Sequence, residues 1–255
     1  MKSPAVTIDN LGHAYIPGNW VFRNYSAKVD DGEIFSILGP NGRGKTTILK
    51  SLLHLIRPSE GCVNIEGRAA FVPQLFQLNF DYTVLDVVMM GRARSIGLFA
   101  QPSKKDRIAA LDALERVGMA DFAERSFQEL SGGQRQIVVF ARAIVAEAKV
   151  LILDEPTSAL DLKNQGLILD WMLRLSHDDG LTIIFTTHHP QHALAVSDKT
   201  LLMFDENKYV CGPAKHVLSE ENLHRLYGVE MKRIPFKHAG KTHETLVPIY
   251  EQKMS

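Results

Sequence analysis

A glycine-rich loop between a predicted strand and a predicted helix constrains the fold of this chain more than any other feature. The apolar run Ile34–Leu38 is typical of a buried strand, and Lys45–Ile56 is predicted to form the helix. The sequence GPNGRGKT lies between them at residues 39–46 and fits the pattern Gly-x-x-x-x-Gly-Lys-Ser/Thr. Glycines let a backbone wrap around an anion, and the first turn of a helix attracts phosphate. The loop therefore predicts a site for the phosphates of a nucleotide.

Residues of this loop have predicted roles in binding and catalysis. The ammonium of Lys45 is expected on the β- and γ-phosphates, where it also acts in catalysis, and the Thr46 hydroxyl is expected on Mg²⁺. The positions expected to contact the nucleotide are Gly39, Pro40, Asn41, Gly42, Arg43, Gly44, Lys45, Thr46 and Thr47. A chance glycine-rich turn is the weaker interpretation, because a strand precedes the loop and a helix follows it.

Two adjacent acidic residues follow another predicted strand. Val150–Leu153 is continuously apolar, as in strands covered on both faces, and Asp154 and Glu155 come next. Ligands of parallel sheets bind at the carboxyl ends of the strands. Asp154 is therefore predicted to bind Mg²⁺, and Glu155 is predicted to act as the general base for an attacking water. Without the glycine-rich loop, two acids that solvate a strand end would be the better interpretation.

A second glycine-rich segment, LSGGQRQ at residues 130–136, precedes a predicted helix over Gly132–Ala146. Its backbone N–H groups and the Ser131 hydroxyl point at one spot, which indicates another anion site. A plain helix cap is the alternative. One chain cannot easily bring two helix N-termini onto one triphosphate, whereas a second copy of the chain can.

Strands and helices alternate through most of the 255 residues. A strand over Thr182–Thr186 and helices over Leu162–Ser176 and Gln191–Val196 continue the pattern, which predicts a parallel α/β sheet. Residues 76–149 interrupt the alternation with an all-helical insertion. Its predicted helices are Val84–Met90, Lys104–Val117, which Ser103 and Asp106 cap, and Gly132–Ala146.

Composition narrows the class of protein. The 29 basic and 29 acidic side chains cancel, which excludes a nucleic-acid partner held by a basic surface and a polybasic membrane anchor. Cys62 and Cys211 stand far apart, so two free thiols are expected. Because no apolar run reaches 18 residues and no signal peptide is evident, we expect a cytoplasmic protein. The charged, histidine-containing run after Gly228 is expected to be a solvated edge.

Taken together and in this order, the motifs resemble the ATP-binding subunit of an ABC transporter over nearly the whole chain. The resemblance implies an α/β P-loop NTPase (RecA-like) core with an antiparallel β subdomain and an inserted α-helical subdomain. Residues 1–228 would form the ATP-binding domain, with the helical subdomain at roughly 76–149. Residues 229–255 would form a short C-terminal extension.

The resemblance also assigns roles to residues outside the three motifs. Tyr15 resembles the aromatic residue that stacks on adenine, and Gln74 resembles the glutamine that senses Mg²⁺ and the attacking water. Asp161 ends a loop, SALD at 158–161, that resembles one crossing a dimer interface. His188 resembles the histidine that contacts the γ-phosphate.

Three of these assignments leave alternatives open. Tyr15 is alternatively an ordinary surface tyrosine. His188 has two neighbours, His189 and His192, and the three could instead bind a metal ion. Arg43 occupies a position that is usually small in this family, so its side chain either points to solvent or reaches the phosphates or a facing copy.

The implied mechanism needs two copies in a head-to-tail homodimer, with Mg²⁺ and ATP at each of two sites. One copy supplies Lys45, Thr46 and Asp154, and Glu155, Gln74 and His188 hold the attacking water. The partner copy supplies Ser131, Gly132, Gly133 and Gln134. Integral membrane permease subunits and a periplasmic substrate-binding protein are the implied partners, which places the chain at the cytoplasmic face of the membrane.

The segment TVLDVVMMGR at residues 83–92 resembles metal-chelate importers. Finer details resemble a molybdate/tungstate branch: FVPQLF at 71–76, YTVLD at 82–86, FAQP at 99–102 and LVPIY at 246–250. An exporter subunit or a soluble ABC ATPase is the alternative. The apolar residues Leu75, Phe76, Leu78 and Phe80 are expected either to line a groove for a permease helix or to pack in the core.

Overall fold

The computed structural model describes residues 4–96, 101–158 and 160–250. The strands are β1 (Pro4–Ile16), β2 (Asn19–Asp30), β3 (Ile34–Leu38), β4 (Glu60–Ile65), β5 (Ala69–Val72), β6 (Val150–Leu153), β7 (Thr182–Thr187), β8 (Lys199–Asp205), β9 (Lys208–Pro213), β10 (Glu230–His238) and β11 (Lys241–Ile249). The α-helices are α1 (Lys45–Leu52), α2 (Val84–Met89), α3 (Lys104–Arg116), α4 (Gly132–Ile144), α5 (Leu162–His177), α6 (Pro190–Val196), α7 (Ala214–Val217) and α8 (Glu220–Tyr227).

The central sheet has the strand order β5-β6-β7-β3-β8-β9. Its strands are parallel except for β9, which pairs antiparallel with β8. Every residue of β3, β6 and β7 is buried, as the continuous apolar runs predict for strands covered on both faces. The carboxyl ends of these three neighbouring strands therefore lie at one edge of the sheet, and that edge carries the site.

A second sheet, in the order β2-β1-β4, is antiparallel and confirms the expected β subdomain. Its aromatic residues Phe22 and Tyr25 are fully buried and share a hydrophobic core with Phe35 and Ile37 of the central sheet. The β subdomain is thus fixed to the strand that precedes the glycine-rich loop.

The insertion is helical, with α2, α3 and α4 packed on one another and α4 also packed on β5. Each of the three helices begins with a reciprocal capping box, and the pair at α3 is Ser103 with Asp106, as predicted. The buried Arg92 guanidinium ties the insertion together, since it lies 3.0 Å from Asp106 Oδ1 and 2.6 Å from Glu147 Oε1.

Helix boundaries differ from the predictions by one to a few residues. The clearest case is α1, which ends at Leu52 although its apolar pattern predicts Ile56. His54 takes a left-handed conformation with φ 54°, and the Leu55 N–H donates to the Lys50 carbonyl at 2.9 Å. The chain therefore turns away from the helix axis before the pattern ends.

The C-terminal region is more ordered than the expected solvated edge. The strands β10 and β11 form an antiparallel hairpin whose buried side chains, Met231 and Leu246, join a small core with α8. Most charged side chains of the hairpin are exposed, as expected for a solvated surface, but Arg233 is partly buried and donates to the Lys215 and Leu218 carbonyls. No helix of the described ranges is long and apolar enough to cross a membrane, and Cys62 and Cys211 are free thiols.

Candidate nucleotide site

The glycine-rich loop, the two acids and His188 follow the neighbouring strands β3, β6 and β7. A cleft of about 450 Å³ opens between the loop and the β subdomain. Its lining residues are Tyr15, Val21, Asn41, Gly42, Gly44, Lys45, Thr46, Thr47, Gln74 and Glu155. Six of the nine phosphate-loop positions predicted to contact nucleotide line this cleft, together with Tyr15, Gln74 and Glu155, and Val21 is an addition that no motif indicated.

The backbone of the loop requires glycine at Gly44. This residue has φ 91°, and a Cβ atom there would lie 2.4 Å from Val21 Cγ1. The buried Lys45 folds back over the loop, with its Nζ donating to the Gly39 carbonyl at 2.9 Å. Gly39 and Pro40 thus act through their carbonyl groups on Lys45 instead of lining the cleft.

Arg43 does not line the cleft. Its guanidinium lies 3.8 Å from Asp205 Oδ1, and both side chains are about half exposed. Of the alternatives for Arg43, the structure favours a side chain directed to solvent over one directed at the phosphates.

Of the residues predicted to bind Mg²⁺, Thr46 contacts Asp154, whereas Gln74 lies against Glu155. Thr46 Oγ1 donates to Asp154 Oδ2 at 2.9 Å, and Thr186 Oγ1 donates to Asp154 Oδ1 at 2.6 Å. Hydroxyl and carboxylate oxygens suit Mg²⁺, which commonly takes one or two carboxylates together with water and substrate phosphates. No group of three or more His, Cys, Asp or Glu suited to a metal ion is found within the described residues.

Four candidate catalytic groups meet at the Glu155 carboxylate. Its Oε1 lies 3.2 Å from Lys45 Nζ, and its Oε2 lies 3.1 Å from His188 Nδ1 and 3.3 Å from Gln74 Nε2. Glu155 has φ 45°, a left-handed conformation that costs a non-glycine residue roughly 1–3 kcal/mol. Strain of this kind persists where the surroundings fix the backbone, which is typical of functional sites.

The three neighbouring histidines have different environments. His188 contacts Glu155, whereas His192 Nδ1 lies 3.1 Å from Thr157 Oγ1 on the other side of the turn. Burial is the main cause that lowers the pKa of His189, and burial together with the neighbouring histidine rings lowers the pKa of His192 to about 4. His188 is the histidine that the structure places at the site, because it contacts Glu155.

Tyr15 is 61% exposed and stands at the mouth of the cleft. Its hydroxyl lies 3.1 Å from Thr47 Oγ1, and the His13 ring meets it edge-on at 4.6 Å between centroids. An exposed aromatic face beside the phosphate loop is suited to stacking on a nucleobase. This role for Tyr15 stays a prediction.

The second glycine-rich segment lies elsewhere. The residues Ser131, Gly132, Gly133 and Gln134 begin α4 and do not line the cleft. Ser131 is exposed, and its Oγ accepts from the Gln134 N–H at 3.3 Å while its own N–H donates to Gln134 Oε1 at 3.0 Å. Within one copy, this segment is not part of the nucleotide cleft.

The loop before α5 behaves as a helix cap within one copy. Asp161 Oδ1 accepts from the Asn164 N–H at 2.8 Å and so caps α5. Ser158 approaches the site, because its Oγ is 3.4 Å from Gln74 Nε2. Ala159 of this loop lies outside the described residues.

Thr186 is the functional residue that sequence reasoning missed. Its hydroxyl contacts Asp154 and accepts from the Glu155 N–H at 2.9 Å, although no motif marks it. The available signal was a threonine near the end of a fully buried strand, where a hydroxyl needs a hydrogen-bond partner.

Comparison with known proteins agrees with this geometry. The family described as ABC transporter matches residues 22–158. The molybdate import ATP-binding protein MolC of Haemophilus influenzae is 40% identical over 97% of each chain. The manganese transport system ATP-binding protein MntA of Synechocystis is 34% identical over 88% of this chain and 90% of its own.

Solved structures are similar as well. A chain assigned to a metal-chelate type ABC transporter, in an inward-facing conformation, superposes with a TM-score of 0.92 at 38% identity and covers 98% of this chain and 99% of its own. An ATP-binding cassette, in a dimeric post-hydrolysis state with ADP and Pi, gives a TM-score of 0.74 at 27% identity, covering 82% and 98%. With its phosphate loop, paired acids and overall fold, this chain belongs to the ABC transporter family and is an ABC-type ATPase.

Proposed function

We propose that this chain powers an importer for metal-containing cargo and that two copies work head to tail with ATP between them. The observation that carries the proposal is the convergence of Lys45, Gln74 and His188 on Glu155, beside the contact of Thr46 with Asp154. The Glu155 carboxylate, which can activate a water nucleophile, thus lies beside the Lys45 ammonium, which can bind phosphate. That arrangement suits hydrolysis of a terminal phosphate.

The ion pair between Lys45 and Glu155 suggests the order of events. The γ-phosphate attracts Lys45 away from Glu155, which leaves the carboxylate free to accept a proton from the attacking water. Gln74 and His188 keep this water in line, since both already contact Glu155. Thr46, Asp154 and, at longer range, Gln74 would hold Mg²⁺, which offsets the negative charge of the phosphates.

The position of the second glycine-rich segment supports the two-copy arrangement. Ser131 and Gly132 are exposed, and the first turn of α4 does not line the cleft of its own chain. A partner copy turned head to tail would bring this helix N-terminus to the γ-phosphate. Dimers are known for a related cassette with ADP and Pi bound.

A groove between α1, β5 and the helical insertion supports a permease partner. It has a volume of about 380 Å³, and it is lined by Leu55, Phe71, Met90, Arg94 and Arg142 among others. Leu55 is exposed, so the groove offers apolar surface to a helix of a membrane subunit. An attachment of this kind would hold the chain at the cytoplasmic face of the membrane.

The four apolar residues after Gln74 divide between the two expected roles. Phe76 packs edge-on against Phe127 at 5.8 Å and lies under the Arg142 guanidinium, and Leu78 packs against the same core. Leu75 and Phe80 are exposed and remain candidates for contact with the permease.

For the cargo, we infer molybdate or tungstate, with an iron or cobalt chelate as the second candidate. The similarity to MolC covers 97% of both chains and supports molybdate as the cargo. Similar proteins of manganese and iron chelatin transport systems support a metal importer more generally. A periplasmic substrate-binding protein would deliver such cargo. Of the segments that resemble the molybdate/tungstate branch, 99–102 begins outside the described residues.

Whole-cell metal content tests this function. A host strain with Glu155→Gln is compared with wild type under metal limitation, and the purified variant is checked for ATP binding without turnover. General-base loss is expected to slow hydrolysis by about 10²- to 10⁴-fold. A selective fall in molybdenum or tungsten supports the proposal, and a fall in iron or cobalt alone assigns the second cargo. Unchanged metal content would contradict an importer role.

A further inference from the structure

We propose that Thr186 is a positioning residue for ATP hydrolysis, whose single hydroxyl fixes both Asp154 and Glu155. The inference rests on the proposed roles of these two acids and adds a third group that neither motif contains. Thr186 lies at the carboxyl end of β7, beside the end of β6, and it is fully buried.

The hydroxyl of Thr186 uses both its donor and an acceptor at the site. It donates to Asp154 Oδ1 at 2.6 Å and accepts from the Glu155 N–H at 2.9 Å. A hydroxyl has one hydrogen, so the first bond leaves only acceptor capacity for the second. The two bonds together allow one arrangement of the carboxylate and the following backbone.

The hydrogen bond from Thr186 to Asp154 Oδ1 leaves Oδ2 of the same carboxylate available for Mg²⁺. Thr46 Oγ1 donates to Oδ2 in the nucleotide-free site and would have to exchange this bond for Mg²⁺. Thr186 holds Oδ1 throughout, because it lies behind the carboxylate in the buried end of β7. The carboxylate therefore keeps its orientation while its partner on Oδ2 changes.

The bond from the Glu155 N–H fixes a backbone that would otherwise be unfavourable. Glu155 has φ 45°, and from this backbone position its carboxylate reaches Lys45, Gln74 and His188. A buried N–H without an acceptor is disfavoured. Replacing the hydroxyl by a methyl group would thus remove the acceptor and free Glu155 to leave the left-handed conformation.

A matched pair of threonines on the same strand gives the experiment its control. Thr182, at the other end of β7, is equally buried, and its Oγ1 accepts a hydrogen bond from the Gly32 N–H at 3.0 Å. Thr186→Val and Thr182→Val therefore make the same chemical change in the same strand, but only the first removes contacts with the acids. Thr186→Ser keeps the hydroxyl. If the valine variant does not fold, Thr186→Ala is the hydroxyl-free variant compared with Thr186→Ser.

The full chain is assayed for kcat, ATP KM, the Mg²⁺ concentration at half-maximal rate, and amide exchange of Glu155 by NMR without nucleotide. We expect Thr186→Val to lower kcat and to raise the Mg²⁺ concentration at half-maximal rate, each by about 10- to 100-fold, with little change in ATP KM. The Glu155 amide should exchange faster than in wild type. Thr186→Ser should restore most of the rate and the protection, and Thr182→Val should resemble wild type.

Two results would overturn the inference. One is a wild-type kcat and a protected Glu155 amide in Thr186→Val, and the other is a loss in Thr186→Ser as large as in Thr186→Ala. Glu155→Gln, measured in parallel, separates this inference from the proposed function. If Glu155→Gln keeps full turnover, the assigned general base is wrong; if it loses turnover while Thr186→Val does not, only the role of Thr186 is wrong.

Discussion

At the scale of single residues, the Glu155 carboxylate is the point at which the separate sequence motifs meet. Lys45 comes from the phosphate loop, Gln74 from the segment after β5, and His188 from the end of β7, and all three contact this one group. The phosphate-loop pattern predicts Lys45 from its chemistry, whereas Gln74 and His188 are assigned by the resemblance to ABC transporter subunits. The pairing of Lys45 with Glu155 was not predictable, since it depends on how Lys45 folds back over its loop.

Arg43→Ser tests whether Arg43 contacts nucleotide. Because the Arg43 guanidinium lies beside Asp205 and outside the cleft, its replacement should change the ATP dissociation constant by less than about twofold, as expected for an exposed ion pair. Calorimetric titration with ATP measures this, and Lys45→Ala is the comparison that should lose binding. Weakening by about tenfold in Arg43→Ser would show a direct phosphate contact.

At the scale of elements, caps and loops decide the boundaries that apolar patterns leave uncertain. The capping box of α3 was predictable, because Ser and Asp three residues apart have a specific local role. The end of α1 was not, because the left-handed His54 is not a residue that signals a helix end. The C-terminal hairpin was also missed, since its strands are mostly exposed and few apolar residues mark them.

The cap of α3 predicts a pH dependence of stability. Hydrogen bonds from the Ser103 side chain and backbone, then from Arg92, lower the pKa of Asp106 from 3.8 to about 2. The charged form of Asp106 is thus favoured in the folded state. Its contribution to the free energy of unfolding is present above pH 3.8 and is lost as the pH falls towards about 2.

Asp106→Asn should remove this part of the acid dependence. Urea unfolding across the same pH interval should show a shallower fall in the free energy of unfolding than in wild type, together with lower stability at neutral pH. Asp112→Asn, an exposed substitution on the same helix, is the control. An acid dependence as steep as that of wild type would show that Asp106 does not contribute.

At the scale of the whole molecule, one copy holds its two glycine-rich segments apart, and we propose that they are the two halves of a nucleotide site formed between copies. The cleft holds the phosphate loop and the acids, while Ser131 and the start of α4 lie outside it. The two predicted helix N-termini indicate this division, because one chain cannot easily bring both onto one triphosphate. The geometry of the proposed head-to-tail dimer could not be predicted from one sequence, because it depends on contacts between the surfaces of two copies.

The most direct test of this account is the mass of the full chain in solution with Mg²⁺ and ATP, measured by sedimentation equilibrium. Glu155→Gln should form a dimer only when ATP is present, because the trapped γ-phosphate joins the two copies. The double variant Glu155→Gln with Ser131→Arg should stay monomeric and still bind ATP at its own cleft. A double variant that dimerises normally, or one that no longer binds ATP as a monomer, would contradict the arrangement in which Ser131 serves the partner's nucleotide.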